Sequence, residues 1–434
     1  MHVFLGMAVI ATVFLGIITK RMSPIVALIG APFLAAVVGL GYSPSEASSF
    51  IIDGLRSIIP VTAMIIFAML FFGVVTDAGV MDPVFRLILK SVGCKPARIT
   101  TGTALLALLI HLDGSGSVTV LLTVPVMLPL YERLGMDRRI LALVVSMAAG
   151  VNFLPWIAPM LRSSVVIGVP STDIFMPLIP VQIAGLIFMF LLAYLLGKRE
   201  EKRLHLTAEE CNAPAPEYII SEEAQKTRRP RLVWVNAIIT LGVIFSMIFH
   251  ILDAAVAFMV GLALALFINY PNVQEQMKRL EAHARTALVL GSIFLSASAF
   301  VGIMHKTGMI TAMSLALVDI VPQSLDKHLP ILVGIFSVPL SLFFDPDSFY
   351  FGVLPVLAET YKALGGDPVQ VARGAIMGVY TTGFAISPLT PVFFLLTGLC
   401  RISPASYQKF CFPYLWGCSI FMTLIAVALG IFPL

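Results

Sequence analysis

Apolar runs of about twenty residues recur along this chain, and each is long enough to cross about 30 Å of hydrocarbon as a helix. The first covers residues 2–19 and ends at Lys20 and Arg21 without a small-residue cleavage site, so we expect a retained span, not a signal peptide. With 59% apolar and 12% charged residues, and a mean hydropathy of +0.97, the composition excludes an ordinary soluble domain. The sequence predicts an all-α polytopic membrane protein that contacts the lipid bilayer and no nucleic acid.

Ten of the apolar runs are expected to cross the membrane. They lie near 2–19, 22–41, 57–79, 138–166, 174–197, 232–250, 252–270, 286–305, 369–400 and 410–432. Each half of the chain also contains one apolar segment, 98–132 or 328–362, that is interrupted mid-way by charge, Gly or Pro. The pieces on either side of an interruption are about 20 Å long as helices, which is too short to cross singly. We therefore expect a re-entrant hairpin in each half.

The two halves of the chain align with each other at an offset near 230 residues. Residues 73–79 align with 302–308, and Pro125 aligns with Pro355. Because five crossings per half is an odd number, the second copy should be inverted in the membrane. The predicted units are a first inverted repeat 1–197 with hairpin 98–132 and broken helix 138–166, a linker 198–231, and a second repeat 232–434 with hairpin 328–362 and broken helix 369–400. Two inverted repeats, each of five transmembrane helices plus one re-entrant hairpin, are typical of secondary transporters with a site at the membrane midplane.

The distribution of basic residues predicts the orientation. Six connecting segments carry 22 of the 28 Lys and Arg residues: 20–21, 86–98, 133–139, 198–231, 278–285 and 401–409. By the positive-inside rule these segments are cytoplasmic, and both termini face outward. The central segment 198–231 is then a solvated cytoplasmic linker, and the two hairpins enter the membrane from opposite sides.

The tip of the first hairpin contains the first candidate site, formed by His111, Asp113, Ser115 and Ser117. Asp113 is the only charged residue between Ile99 and Tyr131, and an ionised Asp at the centre of a membrane helix costs about 2.5–3.5 kcal/mol on insertion scales. Carboxylate and hydroxyl oxygens suit hard cations, and the starts of half-helices attract anions. The alternative is a water-exposed turn with a solvated Asp.

The tip of the second hairpin contains Asp345 and Asp347 on either side of a proline, followed by Ser348. Two carboxylates this close in sequence could share a proton or a cation. The alternative is that Asp345 only caps the following half-helix.

The two broken helices contain the remaining candidates. In the first, Asn152 precedes a Pro-Trp-Ile-Ala-Pro run, and Arg162 is the only charge from Ile140 to Thr172. Its guanidinium suits a carboxylate, unless Arg162 reaches out to lipid headgroups. In the second, Thr382, Ser387 and Thr390 offer hydroxyls in an unwound backbone, although such groups often only satisfy backbone groups freed by proline.

At these motifs the chain resembles the citrate–metal:proton symporter family of the ion transporter superfamily. The motifs are His-Leu-Asp-Gly-x-Gly at 111–116, Leu-x-x-x-Pro-x-Met-Leu-Pro-Leu-Tyr at 121–131, Phe-Tyr-Phe-Gly-Val-Leu-Pro-Val-Leu-Ala-Glu at 349–359 and Ser-Pro-Leu-Thr-Pro at 387–391. The resemblance implies a homodimer in the plasma (inner) membrane that works by alternating access of elevator type. It also implies import of citrate with a divalent cation such as Mg²⁺ or Ca²⁺, driven by the proton gradient, with no permanently bound cofactor.

The leading hypothesis is therefore a secondary carboxylate transporter and not an enzyme. Substrate is expected at Ser115, Ser117, Asn152, Arg162, Ser348, Thr382, Ser387 and Thr390, and the coupling ion or metal at His111, Asp113, Asp345 and Asp347. The alternatives are a sodium-coupled carrier of di- or tricarboxylates or hydroxy acids, an intramembrane aspartyl protease using Asp113 and Asp345, and a passive channel. The protease hypothesis lacks the Gly-x-Gly-Asp order that would support it.

Overall fold

The computed structural model describes residues 1–93, 95–204, 222–249, 251–319 and 327–433, which form α-helices and no strand. In chain order the helices are α1 His2–Ile18, α2 Pro24–Leu34, α3 Pro44–Asp77, α4 Asp82–Val92, α5 Pro96–Ile110, α6 Gly116–Arg133, α7 Arg138–Val151, α8 Ala158–Ile167, α9 Ser171–Phe175, α10 Ile179–Leu204, α11 Glu222–Thr227, α12 Val233–Ile248, α13 Ala254–Asn269, α14 Val273–Lys306, α15 Met309–Val318, α16 Leu329–Phe343, α17 Leu354–Ala363, α18 Pro368–Ile376, α19 Pro391–Leu399 and α20 Pro404–Ala428. The predicted all-α class is confirmed.

Several of these helices are suited to cross a membrane. Within the described residues, five helical segments are long and apolar enough, namely 58–77, 171–204, 230–248, 273–306 and 404–428. Shorter apolar helices, among them α1, α13 and α16, accompany them. The protein is thus a multi-pass membrane protein, while the count of ten crossings and the re-entrant hairpins stay predictions.

Helices α3 and α14 are longer than the predicted spans 57–79 and 286–305, because each has 34 residues. The start of α3 is fixed by a capping box, in which Ser43 Oγ accepts from Glu46 N at 3.2 Å and Glu46 Oε2 accepts from Ser43 N at 2.8 Å. Asn272 caps α14 by accepting from Gln274 N at 2.8 Å. The first residues of both helices are polar, so a search for apolar runs does not include them in the predicted spans.

Helices α3 and α14 pack so closely that their backbones touch. A Cβ on Gly54 would collide with the carbonyl group of Ser298, and a Cβ on Gly302 would collide with that of Phe50. Further along, the His283 ring covers Gly73, and its Nε2 donates a hydrogen bond of 3.0 Å to Asp77 Oδ2. Small residues at both points allow this approach, as is common between membrane helices.

Buried apolar side chains form two clusters, which we call the first core and the second core. The first core is built mainly by α4–α7, α10, α19 and α20. The second is built mainly by α1–α3, α13–α15 and α17. The chain passes from one to the other at the break between α7 and α8, since Phe153 belongs to the first core and Leu161 to the second. This boundary is where the candidate residues gather.

The segments predicted as polar connections are partly helical. Helix α10 continues through Lys198 to Leu204, so the first residues of the predicted linker are helical. At the other end, Arg228 Nη1 donates to the carbonyl oxygen of Thr76 at 2.6 Å and Arg229 N donates to that of Ala78 at 2.9 Å. These contacts satisfy the carbonyls that end α3. Residues 205–221 of the predicted linker lie outside the described residues.

Residues 86–98, predicted as a loop, include most of α4. This helix buries Phe85, Ile88 and Val92 at a spacing of three and four residues, which is one helical face. The segment was predicted as a loop because of its basic residues, some of which lie on the exposed face of α4.

Candidate functional site

The first interruption separates α5 from α6 by a short 3₁₀ turn and a left-handed glycine. The turn covers His111–Asp113, and Gly114 follows with φ of +76°. Asp113 Oδ1 accepts from Ser115 N at 2.8 Å, and Ser115 Oγ caps α6 by accepting from Val118 N at 3.3 Å. Asp113 is half-buried and Ser117 lies on the first turn of α6. The tip therefore places a carboxylate and a helix start side by side.

His111 contacts Thr119 of α6 and Phe384 of the second half. Its Nδ1 lies 2.9 Å from Thr119 Oγ1, and its ring lies nearly parallel to that of Phe384 with centroids 6.3 Å apart. The side chain is buried. His111 thus links the first interruption to the unwound segment of the second half.

The break between α7 and α8 is bound to this tip by two side chains. Asn152 Nδ2 donates to the carbonyl oxygen of Leu108 at 3.2 Å, and Trp156 Nε1 donates to that of Leu112 at 2.8 Å. Trp156 also stacks on Phe72, with ring centroids 5.7 Å apart. Asn152, predicted to bind substrate, here holds the backbone of α5.

The second interruption separates α16 from a π-helical turn at Ser348–Val353 that leads into α17. Asp345 accepts from the backbone N–H groups of Asp347 at 3.0 Å and Ser348 at 3.1 Å, and it accepts from the Ser348 hydroxyl. These contacts are those of a capping residue. They agree with the alternative raised for Asp345, and they use the Ser348 hydroxyl within the turn.

Asp347 forms a buried ion pair with Arg162. Its Oδ1 accepts from Arg162 Nε at 2.9 Å and from Nη2 at 2.8 Å, and the two side chains are 8% and 7% exposed. The guanidinium carbon also lies 5.8 Å from the centre of the Phe294 ring. Arg162 therefore does not reach the headgroups, and that alternative is wrong.

The second unwound segment connects α18 and α19 through residues 377–390 and uses its hydroxyls locally. Thr382 Oγ1 donates to the carbonyl oxygen of Met377 at 3.3 Å, Thr390 Oγ1 donates to that of Phe384 at 2.9 Å, and Ser387 Oγ accepts from Leu389 N at 3.3 Å. These bonds match the structural alternative, in which the hydroxyls satisfy backbone groups freed by the break.

Tyr380, within the same segment, is a residue that sequence reasoning missed. It has a φ of +56°, a conformation that costs a non-glycine residue about 1–3 kcal/mol. Its backbone N–H donates to Ser341 Oγ at 3.2 Å, and its hydroxyl donates to the carbonyl oxygen of Phe344 at 2.6 Å. Nothing in the sequence separates this tyrosine from a core residue except its place between Gly378 and Gly383.

The two broken helices meet where Gly150 contacts the second unwound segment. A Cβ on Gly150 would lie 2.6 Å from Thr382 Cα and 2.8 Å from the carbonyl oxygen of Thr381. The absence of a side chain at Gly150 lets the unwound backbone approach α7 directly.

Next to this contact lies a cavity of about 150 Å³. Its lining comprises His111, Gly114, Gly116, Ala149, Ile157, Ala158, Pro159, Arg162, Pro346, Tyr380, Thr381, Phe384 and Thr390. The starts of α6, α8 and α19 are all in this lining, at Gly116, Ala158 and Thr390. Helix starts carry partial positive charge, and Arg162 adds a full one, whereas the described lining residues include no carboxylate. The cavity is suited to an anion.

The predicted residues are thus divided between the cavity and its surroundings. Of the predicted set, His111, Arg162 and Thr390 line the cavity. Asp347 does not line it but binds Arg162, which does. The described residues contain no group of three or more His, Cys, Asp or Glu side chains able to hold a metal ion, so the four predicted cation ligands do not form one cluster. Their sequence positions, up to 236 residues apart, could not show this.

Comparison with known proteins shows the family of this chain. A family model described as citrate transporter matches residues 13–378. The chain belongs to the citrate transporter family. It is 37% identical to a citrate transporter of Bacillus subtilis (strain 168) over 433 residues, covering 99% of each chain. It is 36% identical to a Mg(2+)/citrate complex secondary transporter of the same organism over 417 residues, covering 95% of each.

The fold of this citrate transporter family member is similar to a solved transporter structure. The match is to the YdaH transporter of Alcanivorax borkumensis, whose structure is described as having an unusual topology. The TM-score is 0.61 at 15% identity, and the match covers 88% of this chain and 89% of the other. Membership of a transporter family confirms the predicted resemblance and favours transport over the protease hypothesis.

Proposed function

We propose that this protein is a secondary active transporter that imports citrate, or a closely related carboxylate, as a complex with a divalent cation and uses the proton gradient. The observation that carries the proposal is the cavity in which Arg162 and the starts of α6, α8 and α19 converge. A planar guanidinium is matched to a carboxylate, and helix starts stabilise negative charge.

The amount of positive charge favours a complex over the free acid. A complex of citrate with one divalent cation carries a charge of about −1, much less negative charge than free citrate, which suits a site with one Arg, itself paired with Asp347, and a few helix starts. A free tricarboxylate would need more cationic groups than the single guanidinium in the lining. The names of two relatives, one a citrate transporter and the other a Mg(2+)/citrate complex transporter, support the same substrate class.

The divalent cation is proposed as cargo. Since no group of three acidic, His or Cys side chains occurs in the described part of the chain, the cation would arrive with ligands from the carboxylate itself. Asp347, which is paired with Arg162, is the predicted carboxylate in contact with a lining residue and is the proposed protein ligand for the cation. The coupling proton is assigned to Asp113, Asp345 or Asp347, and a sodium-coupled carrier is the competing proposal.

Alternating access is proposed to use the two halves as inverted repeats, 1–197 and 232–434, joined by a cytoplasmic linker at 198–231. The paired long helices α3 and α14, and the interruptions at corresponding places in the two halves, support this division. Hairpins 98–132 and 328–362 would then gate opposite sides. We further propose a homodimer in the plasma (inner) membrane, with both termini outside.

Uptake of radiolabelled citrate into proteoliposomes tests the function. We expect accumulation above equilibrium when an inward proton gradient and Mg²⁺ or Ca²⁺ are both present, and little uptake with a chelator. Accumulation that follows sodium and ignores the proton gradient would support the sodium-coupled alternative. Equilibration without accumulation would indicate a channel, and uptake of another carboxylate alone would change the substrate.

A further inference from the structure

The ion pair between Arg162 and Asp347 occupies the group that the proposed substrate needs. Arg162 is the cationic side chain with a permanent charge in the described lining of the cavity, and its Nε and Nη2 atoms both bind Asp347 Oδ1. An incoming carboxylate that binds the same edge of the guanidinium has to replace Asp347. Asp347 therefore occupies the part of Arg162 that we propose binds the substrate carboxylate.

Replacing Asp347 has a large cost unless another cation takes over its charge. The Asp347 side chain is 8% exposed, and a buried carboxylate that loses its partner is strongly unfavourable. A metal-free carboxylate would leave Asp347 unpaired and also place a second anion close to it. A carboxylate that carries a divalent cation brings the charge that Asp347 then requires.

Asp347 is free to make this exchange in a way that Asp345 is not. Asp345 is held by two backbone N–H groups and the Ser348 hydroxyl, so its oxygens are used within the turn. The described hydrogen bond and ion pair of the Asp347 side chain both go to Arg162. Its neighbour Pro346 and its partner Arg162 both line the cavity, so the Asp347 carboxylate lies next to the cavity wall.

We propose that Asp347 is an internal carboxylate that occupies Arg162 in the absence of substrate, and that the divalent cation of an incoming complex binds Asp347 and releases Arg162 for the substrate carboxylate. Metal dependence is then a property of the protein as well as of the substrate. When the complex binds, its cation pairs with Asp347 and its carboxylate pairs with Arg162. A metal-free carboxylate instead competes with Asp347 for Arg162. The inference rests on the proposed function and names the residue that makes the site require a metal.

The test compares citrate binding with Mg²⁺ and with a chelator, measured by calorimetry on the purified full-length protein. In the unmodified protein we expect binding with Mg²⁺ and little without it. In Asp347→Asn, Arg162 has no internal competitor, so metal-free citrate should bind at least about tenfold more tightly than to the unmodified protein. The enhancement by Mg²⁺ should shrink by a similar factor.

Three variants complete the design. Asp347→Ser removes the carboxylate with a different side chain and should behave as Asp347→Asn does, so the test survives if one of the two fails to fold. Asp347→Glu keeps a carboxylate and should keep the metal requirement. Asp367→Asn is the control, because it changes a carboxylate that caps α18 and has no described contact with Arg162, and it should not create metal-free binding.

The outcomes separate the inference from the proposed function. If the folded Asp347→Asn and Asp347→Ser proteins keep the full metal requirement, or lose binding both with and without Mg²⁺, the exchange is wrong even though the unmodified protein binds the complex. If the unmodified protein binds no citrate under either condition, the proposed substrate is wrong.

Discussion

The indole N–H of Trp156 donates to the carbonyl oxygen of Leu112 at 2.8 Å, which joins the break after α7 to the turn after α5. The same indole ring stacks on Phe72 of α3 and meets the edge of Phe258 of α13, with centroids 5.7 and 5.6 Å apart. One side chain therefore connects both parts of the candidate site to the second core. The hydrogen bond and the ring contacts can be separated by mutation.

Trp156→Phe should keep most of the ring contact and remove the hydrogen bond. We expect a loss of about 1 kcal/mol in stability and a reduced uptake rate, because Leu112 loses its donor at the turn. The measurement is the thermal unfolding midpoint together with proteoliposome uptake. Trp234→Phe is the control, since Trp234 is 79% exposed and should change neither. Equal behaviour of the two variants would show that the bond to Leu112 has no effect.

Arg162→Gln should both destabilise the protein and abolish uptake. It leaves Asp347 buried without its cation, which costs about 3–5 kcal/mol, and it removes the proposed recognition group. The double variant Arg162→Gln with Asp347→Asn should recover most of the unfolding midpoint, because no charge is then left unpaired, but it should still not transport. Transport by the double variant would contradict the role of Arg162 in substrate binding.

Gly150→Ala should force the two broken helices apart. The added Cβ would lie 2.6 Å from Thr382 Cα, and overpacking of this kind costs about 1–3 kcal/mol. We expect a lower unfolding midpoint and slower uptake. Gly417→Ala makes the same change within helix α20 where no atom lies within 4 Å, so it should be neutral or slightly stabilising. If Gly150→Ala matches Gly417→Ala, the crossing tolerates a methyl group.

Asp113→Asn removes a charge and keeps the oxygen that accepts from Ser115 N, so the turn should remain intact. If Asp113 carries the coupling proton, uptake driven by a pH gradient should fall at least about tenfold, while exchange of internal for external citrate continues. Ser115→Ala tests the cap of α6, since it removes the Ser115 hydroxyl and leaves the Asp113 carboxyl in place. Normal pH-driven uptake by Asp113→Asn would assign the proton elsewhere.

The sequence located the site better than it described the contacts within it. Charges, glycines and prolines in apolar surroundings pointed to the turn at His111–Asp113 and to Asp345 and Asp347, because charged residues are rare in membrane segments and usually mark a functional site. The pairing of Arg162 with Asp347 was not predicted, since the two residues are 185 positions apart and belong to different halves. Hydropathy alone cannot show which carboxylate faces which cation.

Local signals that were present in the sequence explain some of the differences in the fold. Ser43, Pro44 and Glu46 form a recognisable helix start, yet the predicted span began near residue 57, where the apolar run begins. Tyr380 carried no such signal, because its φ of +56° results from the packing of the unwound segment against Ser341 and Phe344. Tertiary contacts, not local preference, determine that conformation.

The contact of Gly54 with Gly302 also restricts how the protein can move. Where two helices meet backbone to backbone, there is no layer of flexible side chains to adjust, so neither helix can slide along the other without a steric clash. Helices α3 and α14, one from each half of the chain, are then expected to move as a single rigid unit. In an alternating-access cycle, other helices would have to move relative to this rigid unit at side-chain contacts, such as that of Trp156 with Phe72. The rate of transport would then depend on how easily these aromatic rings separate.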